Sequence, residues 1–389
     1  MIRRILTSNY RSLGENVAVH LGRLTALVGP NGSGKSNVAD VLRFVSDCLR
    51  MGLEAAITKR HGIDAVRRFS TGHPFDLSIH LDIDDGAGRT GFYEFVLGGD
   101  RGEEYQVKRE VAELGGALGQ VRFEIADGRW ISGPSDLRPK VDRLALALPL
   151  MGTDERFAPL ANTLRQVAIY TVFPDTLREA QKPDPTRPMQ EHGGNWGSVL
   201  KGLARQEGAG QLKAALGAVT GDIDDFRVKQ VGAYLVTEFH HHQAKADEKR
   251  RRRKWFDAAQ ESDGTLRVAG IVTALLQEPP LTLIGIEEPE LTIHPGALPI
   301  VYDFLREASD RSQILITTHS PDLLALLDAG DVRVVTRRDG VTSVARMDAS
   351  QREAVESRLL TLGDVLRMEG IRPADGDAGE EPVGSTQEP

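Results

Sequence analysis

A glycine-rich segment that ends in a lysine and a serine is the part of this sequence best suited to chemistry. It fills every position of the phosphate-binding loop pattern Gly-x-x-x-x-Gly-Lys-Ser with Gly29, Pro30, Asn31, Gly32, Ser33, Gly34, Lys35 and Ser36. In such a loop, backbone N–H groups converge on phosphates at a helix N-terminus. We expect Lys35 to reach the β- and γ-phosphates and Ser36 to ligate Mg²⁺. The segment therefore predicts a nucleoside triphosphate site.

Two apolar segments further along the chain also end in polar groups. The run from Leu281 to Ile286 delivers Glu287 and Glu288, and the run from Ile314 to Thr318 delivers His319. At a phosphate-cleaving site, Glu287 would belong to the Mg²⁺ shell, Glu288 would orient or deprotonate the attacking water, and His319 would bind a γ-phosphate. Taken alone, paired glutamates are common on surfaces and a histidine is more often structural. The phosphate-binding loop makes the catalytic interpretation of these residues the stronger one.

The surrounding pattern predicts elements that can position these groups. Leu24 to Val28 form an apolar run before the loop, and after it apolar residues recur at helical spacing from Val38 to Leu49, which predicts a helix beginning near Ser36. Residues 281–286 and 314–318 have the composition of buried parallel strands. Parallel sheets bind ligands at the carboxyl ends of their strands. The three polar segments are therefore expected at one sheet edge.

The rest of the chain divides by pattern into further regions. Apolar residues alternate with polar ones from Leu77 to Ile83, and similar segments at 91–97, 105–111 and 121–125 predict an antiparallel subdomain. We place the N-terminal part of one composite domain at residues 1–150, a mostly helical lobe or insertion at 151–255, and the C-terminal part at 256–370. The Gly-, Asp-, Glu- and Pro-rich residues 371–389 predict a disordered tail.

Net charge and hydrophobicity argue against a protein whose whole surface binds nucleic acid and against a membrane-spanning or secreted protein. The formal charge of −8 argues against a surface that attracts nucleic acid everywhere, although it permits a local basic patch. No apolar run approaches the roughly 18 residues of a membrane span, and the N-terminal residues lack the pattern of a secretory signal. We therefore expect a cytoplasmic protein without a membrane-spanning segment.

The order of these segments resembles that of ABC-class P-loop ATPases of the RecF, SMC and OLD-like group. Asn9 to Ser12 resembles the opening strand of that group, and Ser262 to Arg267 resembles its signature motif, which precedes the Glu287–Glu290 and Thr318–Ser320 segments. The resemblance implies an α/β P-loop NTPase fold of the ABC-ATPase type, with a mixed sheet, an antiparallel β subdomain and a helical lobe. It also implies ATP and Mg²⁺ as ligands and places Arg11 among the nucleotide-binding residues.

The resemblance further implies that two ATPase heads sandwich two nucleotides. Ser262, Asp263 and Gly264 would then contact the γ-phosphate that is bound to the opposite chain. The residues agree with such a role, because Ser262 is a good N-cap and a helix from about Thr265 to Leu276 would direct its positive end at a phosphate. An ATP-dependent homodimer is therefore expected.

The chain also departs from the family in ways that narrow its function. Glu287 replaces the usual aspartate, and neither a metal-sensing glutamine nor an aromatic residue for the adenine can be identified. No long heptad segment separates Lys35 from Ser262, and the residues after His319 are too few for the nuclease domain of OLD-type proteins.

The family analogy then suggests a stand-alone ATPase that regulates or delivers a separate effector, such as a nuclease, in phage defence or DNA repair. The alternatives are a transporter subunit and a scaffold with negligible turnover.

Two short runs of like residues lie just before the signature segment. The basic run comprises Lys249, Arg250, Arg251, Arg252, Arg253 and Lys254. It is either a contact site for the DNA backbone or a solvated loop. The histidine run, His240 to His242, suggests a metal, but consecutive side chains point in different directions and no ligand set accompanies them. The prediction of DNA binding therefore depends on the basic run.

Overall fold

The computed structural model describes residues 1–71, 73–86, 88–99, 104–116, 119–242 and 254–374. The strands are β1 (Ile2–Ser8), β2 (Val17–His20), β3 (Leu24–Val28), β4 (Leu77–Asp84), β5 (Thr90–Gly98), β6 (Gln106–Gly116), β7 (Gly119–Ala126), β8 (Arg129–Ser132), β9 (Val167–Tyr170), β10 (Ile223–Val231), β11 (Tyr234–His241), β12 (Trp255–Asp257), β13 (Leu283–Glu287), β14 (Gln313–Thr318), β15 (Val332–Arg338) and β16 (Val341–Ala345). The helices are α1 (Lys35–Met51), α2 (Leu53–Thr58), α3 (Ile63–Val66), α4 (Leu148–Met151), α5 (Ala158–Arg165), α6 (Pro174–Arg178), α7 (Trp196–Leu203), α8 (Gly208–Thr220), α9 (Asp263–Leu276), α10 (Leu298–Ala308), α11 (Pro321–Leu324), α12 (Ala349–Glu356) and α13 (Leu362–Met368).

A mixed six-stranded sheet forms the centre of the molecule, with the strand order β16-β15-β3-β14-β13-β9. The strands from β15 to β9 run parallel, and β16 is antiparallel to β15. Every residue of β3, β13 and β14 is buried, which explains why these strands have continuous apolar runs. Because β14 lies between β3 and β13, the carboxyl ends of these three strands meet at one edge. The parallel strands expected at 281–286 and 314–318 are confirmed.

A second, antiparallel sheet has the order β2-β1-β4-β5-β6-β7-β8. It contains the predicted antiparallel strands and adds β1, β2 and β8 to them. The apolar stripe of α1 is buried in one core with the inward side chains of this sheet, among them Leu81, Tyr93 and Phe95. The helix after the phosphate-binding loop is therefore fixed between the central sheet and the antiparallel sheet.

Helices cover the opposite face of the central sheet. The core on this side contains Leu24, Ala26 and Val28 of β3, whereas Leu27 belongs to the α1 side, as the two-residue period of a strand requires. Helix α9 is almost entirely buried here and packs against α6, α7, α8 and α10. The signature helix thus lies in the helical layer.

Residues 151–255, for which the sequence predicts a mostly helical lobe or insertion, also contain three strands and the first residue of a fourth. The strand β9 is an edge of the central sheet, and β10, β11 and β12 form a separate antiparallel sheet. The four buried residues of β9 are too few for periodicity to distinguish a strand from a helix. In β11, by contrast, Leu235, Thr237 and Phe239 are buried at alternate positions. This two-residue period could have predicted the strand from the sequence.

Two further expectations were wrong at their boundaries. The opening strand ends at Ser8, and Asn9 and Arg11 adopt positive φ angles of 59° and 49°, so the Asn9–Ser12 segment forms a turn after the strand. The tail predicted from residue 371 is ordered as far as residue 374, because Pro373 pairs with Met347 and the Ala374 N–H donates to the Arg346 carbonyl at 2.8 Å. Residues 375–389 of the predicted tail lie outside the described residues.

Candidate functional site

The phosphate-binding loop lies between a strand and a helix, as the sequence predicts. Residues 29–34 connect the end of β3 to Lys35, the first residue of α1. Gly34 has a φ of 104°, and a Cβ atom there would lie 2.3 Å from Thr342 Oγ1. Only glycine fits this backbone and this space. The loop therefore leaves the N-terminal N–H groups of α1 directed at the same edge where β13 and β14 end.

Lys35 is folded back onto its own loop. Its Nζ donates hydrogen bonds to the carbonyl oxygens of Gly29 at 2.7 Å and Pro30 at 3.1 Å, and the residue is 5% exposed. Burial lowers the pKa of Lys35, while the nearby negative charges of Glu288 and Glu290 oppose that shift. The ammonium group therefore lies in the field of both carboxylates. When a nucleotide binds, this group can replace its hydrogen bonds to the two carbonyl oxygens with hydrogen bonds to phosphate oxygens.

A threonine from β16 anchors the phosphate-binding loop. Thr342 is fully buried, and its Oγ1 donates to the Ser33 carbonyl at 2.8 Å and lies 2.8 Å from Ser12 Oγ. Asn37 of α1 donates to the same Ser12 Oγ at 2.6 Å. These bonds join the loop, the turn after β1 and the C-terminal hairpin. The role of Thr342 could not be predicted from local sequence patterns, because the contact joins positions about 300 residues apart.

Glu287 ends β13 with its two carboxylate oxygens in different surroundings. Its Oε2 accepts from Thr171 Oγ1 at 2.5 Å and lies 3.4 Å from the Arg43 guanidinium, whereas its Oε1 is buried without a partner among the described residues. A buried carboxylate oxygen rarely lacks a partner, and carboxylate oxygen is a preferred Mg²⁺ ligand. Oε1 of Glu287 therefore fits the role of a Mg²⁺ ligand, and the same role for the Ser36 hydroxyl stays a prediction.

The backbone at Glu288 forms a constrained turn. Its φ is 45°, a value that residues other than glycine seldom adopt. The Glu288 N–H donates to the carbonyl and the hydroxyl of Thr317 at 3.0 and 3.1 Å, and the Glu288 carbonyl accepts from Arg267 at 2.8 Å. Arg267 is buried and also donates to the Val172 carbonyl at 2.7 Å. These bonds fix the direction in which the Glu288 carboxylate leaves the strand.

His319 lies beside Glu288 at the end of β14. Its Nδ1 is 3.3 Å from Glu288 Oε1 and 3.9 Å from Glu290 Oε1. Glu290 is buried and accepts from Thr318 Oγ1 at 2.6 Å and from the His319 N–H at 3.3 Å. The structure thus brings the two predicted catalytic residues together and adds Glu290, to which the sequence analysis assigned no role. Its position in the sequence, two residues after Glu288, could have indicated that Glu290 belongs to the same site.

The signature segment occupies a different layer from the phosphate-binding loop. As expected, Ser262 caps α9, and its Oγ accepts from the Thr265 N–H at 3.2 Å. Asp263 forms an ion pair with Arg178, and a Cβ atom at Gly264 would lie 2.8 Å from the Thr292 carbonyl. Within the described part of the chain, no hydrogen bond or ion pair links Ser262, Asp263 or Gly264 to residues 29–36.

Arg11 forms an ion pair with a residue of α1. Its guanidinium lies 3.0 Å from Asp40, which also accepts from the Tyr10 hydroxyl at 2.6 Å and from Arg60 at 2.9 Å. Burial alone would raise the pKa of Asp40, but the hydrogen bonds and charge of Arg60, together with the charge of Arg11, lower it. Asp40 therefore keeps its negative charge and holds the Arg11 turn on α1. The nucleotide-binding role of Arg11 stays a prediction.

The basic run is mostly outside the described residues, which resume at Lys254 after residue 242. Lys254 Nζ lies 4.8 Å from the centre of the Phe256 ring. In the histidine run, His240 pairs with Asp224, and His241 lies between Asp222 and Glu261. The described ranges contain no group of three or more His, Cys, Asp or Glu side chains that could hold a metal ion. They also contain no helix that is long and apolar enough to cross a membrane.

Comparisons with known proteins agree with this geometry. Residues 24–325 match the family described as "AAA domain, putative AbiEii toxin, Type IV TA system". The chain is 31% identical over 153 residues to the DNA replication and repair protein RecF of Brucella abortus, a match that covers 38% of each protein. It is 25% identical over 339 residues to an OLD nuclease of Thermus scotoductus, covering 82% of this chain and 59% of the nuclease. The chain thus spans less than two thirds of the length of either relative.

Solved structures show the same fold at low sequence identity. An SMC head bound to the C-winged helix domain of ScpA superposes with a TM-score of 0.53 at 15% identity, covering 90% of this chain and 99% of the head. An Smc head with an extended coiled coil from Pyrococcus furiosus gives a TM-score of 0.51 at 14% identity, with coverage of 92% and 99%. The predicted mixed α/β fold is confirmed. This chain belongs to the AAA-domain family named above, and its sequence motifs and fold resemble those of P-loop ATPases of the RecF, SMC and OLD-like ABC type.

Proposed function

We propose that this protein binds ATP with Mg²⁺, hydrolyses it, and does so as a homodimer that forms around the nucleotide. The observation that carries this proposal is the meeting of three segments at the ends of adjacent parallel strands. The phosphate-binding loop follows β3, His319 follows β14, and Glu288 follows β13. A cation, a carboxylate and an imidazole are thereby gathered where the phosphates of a nucleotide would lie.

Each residue of this group has a distinct part in the reaction. Lys35 would leave the Gly29 and Pro30 carbonyls and contact the β- and γ-phosphates. Ser36 and Glu287 would hold Mg²⁺, which supplies charge neutralisation on the phosphate oxygens. Glu288 would accept a proton from the attacking water, and its strained turn keeps the carboxylate in one direction. His319, 3.3 Å from Glu288, would bind the γ-phosphate.

The signature segment supports completion of the site by a second chain. The hydroxyl of Ser262 and the first N–H groups of α9 are phosphate donors. They belong to the helical layer, and within the described residues they make no hydrogen bond or ion pair with the phosphate-binding loop of their own chain. A phosphate bound to the loop of a second molecule would complete this donor set, so Ser262, Asp263 and Gly264 would act on the opposite chain.

Mixing two inactive variants tests the shared site. Ser262→Arg protein is expected to bind ATP without dimerising or hydrolysing it, because the arginine fills the space for the opposite phosphate. Lys35→Ala protein is expected to be inactive because its own loop fails. A mixed dimer has one intact loop facing one intact signature, so phosphate release should reappear on mixing. Full ATPase activity of Ser262→Arg protein alone, at concentrations where it is monomeric, would contradict the shared site.

We further propose that ATP turnover controls a separate effector linked to DNA, such as a nuclease, in phage defence or DNA repair. The basic run supports this proposal because it concentrates six positive charges in a protein whose net charge is −8. The relatives named above include a DNA replication and repair protein and a nuclease, which favours nucleic acid over other polyanions.

Replacement of Arg250, Arg251, Arg252 and Arg253 with glutamine tests the DNA contact. DNA affinity should fall, and its dependence on salt should flatten by about one unit of slope per lost phosphate contact. Basal ATP hydrolysis should stay unchanged. The matched control replaces four exposed arginines of the C-terminal region, Arg352, Arg358, Arg367 and Arg372, and alters the net charge equally. Equal loss of DNA binding in both proteins would mean that the basic run has no special role.

A further inference from the structure

The histidine run contains one residue that connects two parts of the molecule. His241 ends β11, and its Nδ1 lies 2.9 Å from Asp222 Oδ2 while its Nε2 lies 2.7 Å from Glu261 Oε1. Burial alone would lower the pKa of His241, but hydrogen bonds to Asp222 and Glu261 outweigh burial and raise it. Both ring nitrogens face a carboxylate oxygen within hydrogen-bond distance, an arrangement that fits an imidazolium donating one N–H to each carboxylate. His241 bridges the end of α8 and the residue before Ser262.

Glu261 is well placed to transmit this contact to the signature segment. Its side chain is 7% exposed, and it directly precedes Ser262, the N-cap of α9. On the other side, Arg178 donates to the Glu261 carbonyl at 3.1 Å and pairs with Asp263. His241 thus contacts the Glu261 carboxylate, while Arg178 contacts the Glu261 carbonyl and Asp263. Loss of the imidazolium would leave a buried carboxylate unpaired immediately before the Ser262 cap.

We propose that His241 is a positioning residue for the signature segment Ser262–Gly264. By holding Glu261, it sets the direction in which the Ser262 hydroxyl and the first N–H groups of α9 face the phosphate of the opposite chain. This inference rests on the proposed two-chain site. It does not extend to the neighbouring His240, which pairs with Asp224 and lies beside the Trp255 ring, 5.5 Å between ring centres.

His241→Gln removes the charge and one of the two bonds. Turnover should fall roughly 10- to 100-fold, as expected for the loss of a hydrogen bond between charged groups. The affinity for ATP should change less than about twofold, because the phosphate-binding loop is intact. His241→Arg, whose planar fork can reach both carboxylates, should recover much of the turnover. His240→Gln is the matched control and should leave turnover unchanged.

Mixing experiments separate positioning from a general folding defect. His241→Gln protein mixed with Lys35→Ala protein should regain phosphate release, because the second chain supplies an intact signature to the intact loop of the first. The Ser262→Arg and Lys35→Ala mixture serves as the reference. If the reference mixture recovers activity while His241→Gln alone turns over like the unmodified protein, the inference is wrong and the shared site stands. If the reference mixture recovers nothing, both fail. Loss of turnover in His241→Gln without recovery on mixing would also overturn the positioning role.

Discussion

Lys35→Ala protein is expected to bind ATP at least roughly 100-fold more weakly than the unmodified protein while remaining folded. Lys35 is the cation of the phosphate-binding loop, and hydrogen bonds between charged groups contribute about 1.5–3 kcal/mol each, so loss of two phosphate contacts has an effect of this size. In the absence of nucleotide the ammonium contacts carbonyl oxygens of its own loop, and its removal leaves the buried core of α1 intact. Calorimetric titration with ATP, supported by a thermal melt, measures both effects.

A lysine outside the site provides the control for this substitution. Lys229 lies on β10, is half exposed and pairs with Glu238 at 3.0 Å. Lys229→Ala should therefore bind ATP with unchanged affinity. Tight ATP binding by folded Lys35→Ala protein would show that the triphosphate does not sit in the loop at residues 29–36.

Glu288→Gln protein is expected to bind ATP normally and to hydrolyse it about 10² to 10⁴ times more slowly, the range that general base catalysis contributes. Glutamine keeps the size of the side chain and removes its ability to accept a proton. The turn at Glu288 should persist, because the Thr317 and Arg267 contacts involve its backbone. Single-turnover phosphate release, measured beside ATP affinity, separates the slow chemical step from weak binding.

Glu287→Gln is the informative comparison, since it changes the adjacent carboxylate in the same way. We expect it to raise the Mg²⁺ concentration required for tight ATP binding, because Glu287 Oε1 is buried and has no hydrogen-bond partner among the described residues. If Glu287→Gln instead bound ATP normally and turned over slowly while Glu288→Gln was nearly normal, the assignment of the two roles would be reversed.

The side chain of Glu287 is held in place by two neighbouring residues. Glutamate is one methylene longer than the aspartate that the family resemblance predicts at this position. Arg43 and Thr171 hold one of its carboxylate oxygens, so the longer side chain is fixed at a defined angle. Arg43 also lies 3.1 Å from Glu191, which joins this carboxylate to the loop before α7. Thr171 directly follows β9, so this contact links the end of β9 to the end of the neighbouring strand β13.

The parts of the site that could be predicted from the sequence share a physical property. The loop at residues 29–36, Glu288 and His319 each follow a short apolar run, and a buried parallel strand leaves that local pattern wherever it occurs. Their adjacency at one edge then follows from the rule that parallel sheets bind ligands at the carboxyl ends of strands.

The supporting contacts could not be predicted, because they depend on positions distant in the sequence. Thr342 reaches Ser33, and Arg43 reaches Glu287, through folding of the whole chain. Their local sequence shows no pattern that distinguishes them from other threonines and arginines. The strand β9 was missed for a related reason, since its partner β13 lies more than 100 residues away. Such contacts become visible only when the sheet order is known.

The mass of the Glu288→Gln protein with and without ATP and Mg²⁺ tests most directly whether the site is shared between two chains. Slow hydrolysis should trap the nucleotide-bound state, so the expected mass is that of one 42.5 kDa chain without ATP and twice that value with it. Adding Ser262→Arg to the same chain should abolish the dimer while leaving ATP bound. A Glu288→Gln protein that remains a monomer at saturating ATP, together with an unmodified protein whose specific activity does not depend on its concentration, would contradict the two-chain site.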